Sequence, residues 1–512
     1  MNACSRRQKL ERRKRRIKNR LRDRRWKAQK KPMFRATNIR YDVADRDRGL
    51  AVGGIGAMFQ LARHTGLVEA IDEDLHLLKV HLPYHESDHV LNIAMNVMAG
   101  GTCLEDIELL RNDEVYLDAL GAQRIPDPTT AGDFCRRFEP DDVWTLMDAI
   151  NTSRVRVWQQ QPDEFFDEAV IEADGTLAPT TGECKEGMDI SYKGVWGYHP
   201  LVVSLANTGE PLYLVNRSGN RPSHEGAAEV LDKAIELCER AGFRKIRLGG
   251  DTDFTNFDRL DGWDEDARVF TFGVPAMANL NEIADNLPKS RWKKLHRPPD
   301  YDVKTEPRTR PEKVKERIIV AREFDNVHLE SEQVAEFEYS PTVCKKTYRM
   351  VVLRKNLSWS KGEAVLFDEI RYFFYITNDR ELPAAEVVFR SNARCNQENL
   401  IEQLKNGVHA LRMPVDNLVS NWAYMVMASL AWTFKAWFAL LLPEKGRWAQ
   451  KHRAQKEGVL RMEFKRFLNS IVRVPCQLVR TGRRLVYRVL AWNPWVEVLL
   501  RGADAVRLPM RY

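Results

Sequence analysis

The sequence predicts an α/β protein in which a unit of strands and helices follows an all-helical region and is interrupted by a mostly β insertion. Residues 45–160 carry apolar side chains at helical spacing and show little strand signal. Residues 165–275 change to short apolar runs that predict three strands, a helix, a strand, a short helix and a strand. Residues 276–385 then alternate apolar and polar side chains as half-buried strands do. Helical patterns return in a second α/β part, residues 386–445, and a helical C-terminal region, residues 446–512.

A basic arm, residues 1–44, precedes these units. Sixteen of its first 31 residues are Lys or Arg and two are acidic, although the 512-residue chain carries a net charge of only +8. Such a run cannot bury a core, so we expect it to be disordered or weakly helical until it binds a polyanion. Contacts from Arg12, Arg13, Arg15 and Arg16 to DNA phosphates would give affinity without sequence preference. The alternatives are a solvated tail or a wrongly assigned start codon.

The helical region is a candidate DNA-binding domain. Thr129-Thr130 predicts the cap of a helix that carries Arg136 and Arg137 near its end. Several short helices with basic ends are typical of a helix-turn-helix reader of DNA. Other all-helical domains have a similar pattern, so the sequence leaves both interpretations open.

Cysteine usage and hydropathy indicate the compartment. The eight cysteines form no CxxC pair and have no regular spacing, which argues against a zinc ribbon or a disulfide scaffold and favours a reducing cytoplasm. The run from Ala423 to Leu442 is long and apolar enough to span a membrane, but Lys435 interrupts it. A charge in mid-span is costly, so we predict a buried helix there.

The α/β unit places two acids at strand ends. The predicted elements are strands at 170–176, 195–204 and 211–215, a helix from Ser223, and strands at 245–248 and 268–273. Asp174 lies at the end of the first strand, and Asp251 lies just beyond the fourth. Ligands of open α/β sheets collect at the carboxyl ends of the strands, so we expect these two acids to face a common site.

The insertion contributes a basic segment and further strands. Strands are predicted at 317–322, 334–339, 347–354 and 372–377. Lys293 and Lys294 lie in a proline-bearing basic stretch and are candidate DNA contacts. Trp292 and Trp359 either offer stacking surfaces to nucleic acid or form the core of the insertion.

A helix over 391–406 carries the third acid. Arg394, Glu398 and Lys405 stand at i, i+4 and i+11, which places them on one stripe of a regular helix at about 100° per residue. The tail beyond residue 445 is basic and either touches DNA or a partner subunit, or is a solvated face.

Three carboxylates from three separate segments can hold two divalent cations. Oxygen ligands suit two Mg²⁺ ions, with Mn²⁺ as a substitute, better than zinc. Two such ions support in-line phosphodiester chemistry without a side-chain nucleophile. Spacing alone favours the alternative, because aspartate before glycine is a common turn and Arg394 with Glu398 is an ordinary helical ion pair.

Taken together, residues 171–176, 247–254 and 391–405 resemble the DDE transposases of bacterial insertion sequences, in the cut-and-paste branch. That branch embeds its third acid in Tyr-x₂-Arg-x₃-Glu-x₆-Lys, and this chain has Arg394-x₃-Glu398-x₆-Lys405. Ser391 takes the place of the tyrosine, which puts one DNA contact in doubt. The strand Tyr198-His199-Pro200-Leu201 and the β insertion are also similar to this branch.

The resemblance implies an RNase H-like catalytic domain, with Asp174, Asp251 and Glu398 as catalytic residues and metal ligands. It also implies that Arg394 and Lys405 hold DNA phosphates. The expected activity is cleavage at the element's terminal inverted repeats and strand transfer to target DNA, by a homodimer on paired ends in the bacterial cytoplasm at the nucleoid. The alternatives are a nuclease of the same fold that does not join DNA, and a catalytically silent DNA-binding relic.

Overall fold

A computed structural model describes residues 3–22, 33–34, 36, 39–43, 47–297, 314–361, 364–392, 395–444, 446–482, 484–507 and 510. It is a mixed α/β structure in which many helices surround one large sheet. The predicted α/β class is therefore confirmed.

Helices dominate the first part of the chain. The elements are α1 (Ala3–Arg20), β1 (Gly49–Leu50), α2 (Ile55–His64), α3 (Leu67–Asp74), α4 (Glu86–Ala99), α5 (Ile107–Arg111), α6 (Glu114–Leu120), α7 (Pro128–Cys135) and α8 (Pro140–Trp158). The basic arm was predicted to be disordered or weakly helical, but α1 is a helix of 18 residues. The predicted cap of α7 was also wrong, because Asp127 caps it by accepting the N–H of Thr130 at 2.8 Å.

The next part contains strands and two helices. They are β2 (Ala169–Gly175), β3 (Ala178–Pro179), β4 (Asp189–Ile190), β5 (Trp196–Tyr198), β6 (Leu201–Leu205), β7 (Glu210–Val215), α9 (Ala227–Ala241), β8 (Ile246–Gly250), α10 (Phe257–Glu265) and β9 (Val269–Val274). The single strand predicted over 195–204 is broken at His199-Pro200, since β5 belongs to a small separate sheet with β3 and β4. The helix begins at Ala227 rather than Ser223, after Gly226 in a left-handed conformation.

The insertion comprises α11 (Ala278–Asp285), β10 (Lys293–Lys294), α12 (Val314–Ala321), β11 (Asp325–Tyr339), β12 (Tyr348–Lys361) and β13 (Ala364–Thr377). The strand predicted at 317–322 was wrong, because these residues lie in α12 and the turn after it. A short apolar run cannot be assigned to strand or helix from its periodicity. β13 pairs with β9, so the long strands of the insertion extend the main sheet.

The nine strands of that sheet have the order β10-β11-β12-β13-β9-β8-β2-β6-β7. Within it, β2 is parallel to β8 and β8 is parallel to β9. On the other side of β2, β6 is antiparallel to β2 and β7 is antiparallel to β6. The carboxyl ends of β2, β8 and β9 therefore share one edge of the sheet.

The remaining elements are α13 (Ala384–Asn392), α14 (Cys395–Glu402), α15 (Leu418–Leu440), α16 (Ala449–Leu460), α17 (Phe464–Phe467), β14 (Cys476–Thr481), β15 (Arg484–Val489) and α18 (Val496–Ala505). Within the continuous helix predicted over 391–406, residues 391–392 end α13, residues 395–402 form α14, and residues 393–394 lie outside the described residues. The prediction was wrong at its C-terminal end, where a π-helical turn follows at Gln403–Gly407.

Helix α15 is the central core element. It is the one helix among the described residues that is long and apolar enough to cross a membrane, and its apolar window is entirely buried inside the protein. It packs against α4, α8, α16 and β7. The prediction of a buried helix is confirmed, and α15 joins the helical region to the sheet.

Candidate active site

Two of the predicted acids lie at the same edge of the sheet. In the parallel pair of β2 and β8, Glu172 is level with Gly249. Asp174 lies two residues further along β2, and Asp251 lies two residues beyond Gly249, just past the end of β8. The register therefore brings both acids to the carboxyl ends of neighbouring strands, which lie about 4.8 Å apart. The sheet thus brings together two acids that are 77 residues apart in sequence.

Local packing fixes the position of Asp251. Its carboxylate accepts the N–H of Asp253 at 2.9 Å, which caps the short helical turn Thr252–Phe254. A Cβ atom on Gly250 would lie 2.7 Å from the Cβ of Phe254 and 3.0 Å from the ring of Phe272. Only glycine allows this close approach, so the end of β8 is held tightly where Asp251 begins.

The third acid is carried by α14, which packs against β2. Gln397 is buried; its amide donates to the carbonyl of Val202 at 3.0 Å, and it accepts from the hydroxyl of Ser204. Val202 is the cross-strand partner of Asp174. Gln397 therefore fixes α14 beside the first acid, and the next residue, Glu398, is exposed.

Sequence reasoning missed Gln397. A glutamine next to an acid in the sequence does not indicate an anchoring role, because Gln397 is seen to be buried only when α14 is packed on the sheet.

The three acids do not form a closed cluster in this structure. Within the described ranges, no group of three or more His, Cys, Asp or Glu side chains is arranged to hold a metal ion. The structure thus brings two acids to one edge of the sheet and packs the helix of Glu398 against β2, without a preformed three-acid cage among the described residues.

Lys405 lies near the first acid. It is half-buried, and burial lowers the pKa of its ammonium group, whereas Glu402 and Asp174 raise it. The regular helical spacing used to predict the stripe ends before Lys405, because this residue lies in the π-helical turn. Arg394 lies outside the described residues.

His199 and Arg217 support the strand end behind Asp174. The Nδ1–H of His199 donates to the carbonyl of Arg221 at 2.8 Å, and burial lowers the pKa of the imidazole. Arg217 donates from Nε to the carbonyl of His199 at 3.0 Å, and a Cβ on Gly175 would lie 2.9 Å from the His199 Nε2. Gly175 therefore lets this buried pair pack directly against β2.

The predicted DNA contacts of the folded body differ in their surroundings. Lys293 and Lys294 are exposed on β10, and Arg137 is exposed after α7. Arg136 forms ion pairs with Asp133 at 2.8 Å and Asp416 at 2.9 Å, so it ties α7 to the segment before α15.

The two tryptophans of the insertion also differ. Trp292 is buried, with the guanidinium of Arg354 at 4.1 Å from its ring centroid, and is core. Trp359 is half-buried and stacks on Phe367 with centroids 5.7 Å apart.

The four arginines predicted in the arm also separate into two groups. Arg12, Arg15 and Arg16 are exposed on α1. Arg13 is half-buried and donates to the carbonyls of Val489 and Ala491.

Comparison with known families decides the identity. Residues 50–508 match the model of a family described as transposase DDE domain group 1. The chain belongs to this family of DDE transposases. Among solved structures, the transposase is similar to the cryo-EM structure of a piggyBac transposase synaptic complex with hairpin DNA. That similarity has a TM-score of 0.37 and 10% sequence identity, and it covers 83% of this chain and 80% of that chain. No curated protein matches the sequence.

Proposed function

We propose that this transposase cuts the terminal inverted repeats of an insertion sequence and joins the freed 3′-hydroxyls to target DNA. Asp174, Asp251 and Glu398 are the catalytic carboxylates. The observation that carries the proposal is that Asp174 and Asp251 lie at the carboxyl ends of two neighbouring parallel strands, with the helix of Glu398 packed against the first of these strands.

Strand order supports an RNase H-like catalytic unit. The strands β7-β6-β2-β8-β9 combine an antiparallel meander with two parallel strands on its other side. The first acid ends the central strand, and the second follows its parallel neighbour. The spacing Arg394-x₃-Glu398-x₆-Lys405 supports the cut-and-paste branch of bacterial insertion sequences, with Ser391 in place of the tyrosine.

The acids fit hard divalent cations. All donors are carboxylate oxygens, which Mg²⁺ and Mn²⁺ prefer. When bound, two such ions activate the attacking water or hydroxyl and stabilise the leaving oxygen. Asp174, near the end of β2, and Asp251, just beyond β8, would supply two of the ligands. The third, Glu398, would come from α14, which Gln397 anchors to the sheet.

Basic side chains position the DNA. Lys405 lies near Asp174, where its cation would bind a phosphate of the cut strand end. Arg394, which belongs to the same Arg-x₃-Glu-x₆-Lys signature, would hold an adjacent phosphate. Lys293, Lys294 and Arg137 are exposed and available to the flanking duplex. We propose further that the enzyme works as a homodimer on paired ends, in the bacterial cytoplasm.

The test is cleavage and joining of a labelled duplex that carries the element's terminal repeat, with Mg²⁺. Asp251→Asn should bind the duplex normally and lose cutting and joining by at least about 1,000-fold, because a ligand oxygen is replaced by an amide. Asp253→Asn is the matched control, since Asp253 is an exposed acid two residues away and should leave the activity nearly intact.

Each other outcome points elsewhere. Loss of activity in Asp253→Asn but not in Asp251→Asn would move the ligand role to Asp253. Cutting without joined product would show a nuclease of this fold. Normal binding with no cutting by the wild-type protein in Mg²⁺ or Mn²⁺ would leave a DNA-binding relic.

A further inference from the structure

The basic helix α1 is attached to the C-terminal end of the chain. Arg6 forms an ion pair with Asp504 of α18 at 2.9 Å, and Leu10 packs against the main hydrophobic core. Arg13 donates to the carbonyls of Val489 and Ala491 at the end of β15. The ammonium of Lys14 lies 5.9 Å from the ring centroid of Trp492.

These contacts define one face of the helix. We call Arg6, Leu10, Arg13, Lys14 and Ile17 the docking face; all five are half-buried. At about 100° per residue they cover a stripe about 100° wide. Arg15 and Arg12 both lie about 150° from the centre of that stripe, and Arg16 lies about 110° from it. These three arginines form the cationic face, which is exposed.

The cationic face has the composition of a phosphate-binding surface. Both large apolar residues of α1, Leu10 and Ile17, belong to the docking face, so the exposed side has no apolar side chain to insert into a membrane. The single acid of α1 is Glu11, which pairs with Lys14 at 3.4 Å. Arg12 and Arg16 stand at i and i+4, and like charges at this spacing destabilise a helix. Phosphates would remove that repulsion.

The dimensions of α1 suit a DNA groove. A helix of 18 residues is about 27 Å long, which equals about eight base pairs of duplex at 3.4 Å each. The major groove of B-DNA is wide enough to admit an α-helix. The family match begins at residue 50, so α1 lies outside the part of the chain that the family shares.

We propose that α1 is a duplex-DNA-binding helix fixed to the C-terminal end of the chain, and that it is not a free basic tail. The cationic face contacts phosphates, while Arg6, Leu10 and Arg13 are positioning residues that hold the helix in place. Arg13 therefore has a different role from the other three arginines of the arm. This inference rests on the proposed function in one respect, because it takes DNA as the partner.

The first test measures the affinity of the full-length protein for a fluorescent 30-base-pair duplex between 50 and 300 mM salt. Arg12→Gln/Arg15→Gln/Arg16→Gln should weaken binding at least about 10-fold at 100 mM salt. It should also reduce the slope of log K against log salt by about 2.7, since each phosphate contact contributes about 0.9. The matched control removes three exposed cations of α9 and the loop after it, Lys233, Arg240 and Lys245, by the same change and should leave the slope unaltered.

The second test separates a fixed helix from a tail. Leu10→Ser/Asp504→Asn breaks two docking contacts and makes the protein more positive by one charge. A tail would then bind DNA equally well or better, whereas a fixed helix should bind about 3- to 10-fold more weakly. Hydrogen exchange of residues 3–20 should be faster in this variant, and duplex DNA should slow it in the wild-type protein.

Two results would overturn the proposal. An unchanged salt slope in the triple arginine variant would show that α1 does not contact DNA. Unchanged or tighter binding by Leu10→Ser/Asp504→Asn would show that docking is irrelevant. Both results are measured as DNA affinities and do not depend on catalysis. If the proposed cleavage activity is refuted, the affinities still test the role of α1, and Asp251→Asn serves as the reference variant that binds DNA.

Discussion

Replacement of Glu210 by glutamine tests how the helical region is joined to the sheet. Glu210 is fully buried at the start of β7. One carboxylate oxygen accepts from Arg154 of α8 at 3.1 Å and from the indole of Trp437 of α15 at 2.9 Å. The other accepts from the indole of Trp158 at 3.0 Å and from Thr208 at 2.7 Å. Four donors thus converge on one anion.

An amide cannot replace that anion. Glutamine has one accepting oxygen, and its NH₂ group would face either an indole N–H or the guanidinium. Arg154 is itself buried, so its charge would lose its partner. Breaking a buried ion pair from one side costs about 3–5 kcal/mol. We expect Glu210→Gln to destabilise the protein by that amount.

Urea unfolding followed by tryptophan fluorescence measures the loss, because two indoles contact Glu210. With a slope of about 3 kcal/mol per M, the midpoint should fall by about 1 M or more. The control is Glu386→Gln, which removes a largely exposed ion pair with Arg390 and should cost less than about 1 kcal/mol. If Glu210→Gln shifts the midpoint no more than Glu386→Gln, the network does not join the two regions as argued.

Two further predictions concern the position of α14 and the response to acid. Gln397→Leu should lower the cleavage rate about 10- to 100-fold with unchanged DNA affinity, because α14 loses its anchor beside Asp174. Asn399 is exposed, so Asn399→Leu is the control and should leave the cleavage rate unchanged. An equal loss of cleavage in both variants would refute the anchoring role of Gln397. Burial lowers the pKa of His89 to about 4 from 6.5, so between these values the unfolded chain binds a proton that the folded chain does not. Stability should therefore fall by up to about 3 kcal/mol as the pH drops from 6.5 to 4, and His89→Leu should remove that part of the fall in urea midpoints measured at pH 6.5 and 4.5.

Elements whose signals are local could be predicted from the amino-acid sequence. The apolar run interrupted by Lys435 predicted the buried helix α15, and the runs before Asp174 and Asp251 predicted β2 and β8. In each case the periodicity or the composition of fewer than about 25 residues is sufficient, because burial acts on every residue of the segment.

Other features depend on contacts between distant segments. Only the tertiary structure joins β13 to β9, which makes the insertion part of the main sheet. It also places Gln397 against Val202 and Arg13 against Val489, pairs separated by 195 and 476 residues. No local pattern contains such a contact.

The candidate site combines both kinds of information. The sequence located Asp174 and Asp251 at strand ends, but only the parallel pairing of β2 with β8 brings these two strand ends to the same edge of the sheet. An acid at the end of a strand can be recognised from the residues that flank it. Which other strand end lies next to it depends on the strand order, and the strand order depends on how the whole sheet buries its two faces.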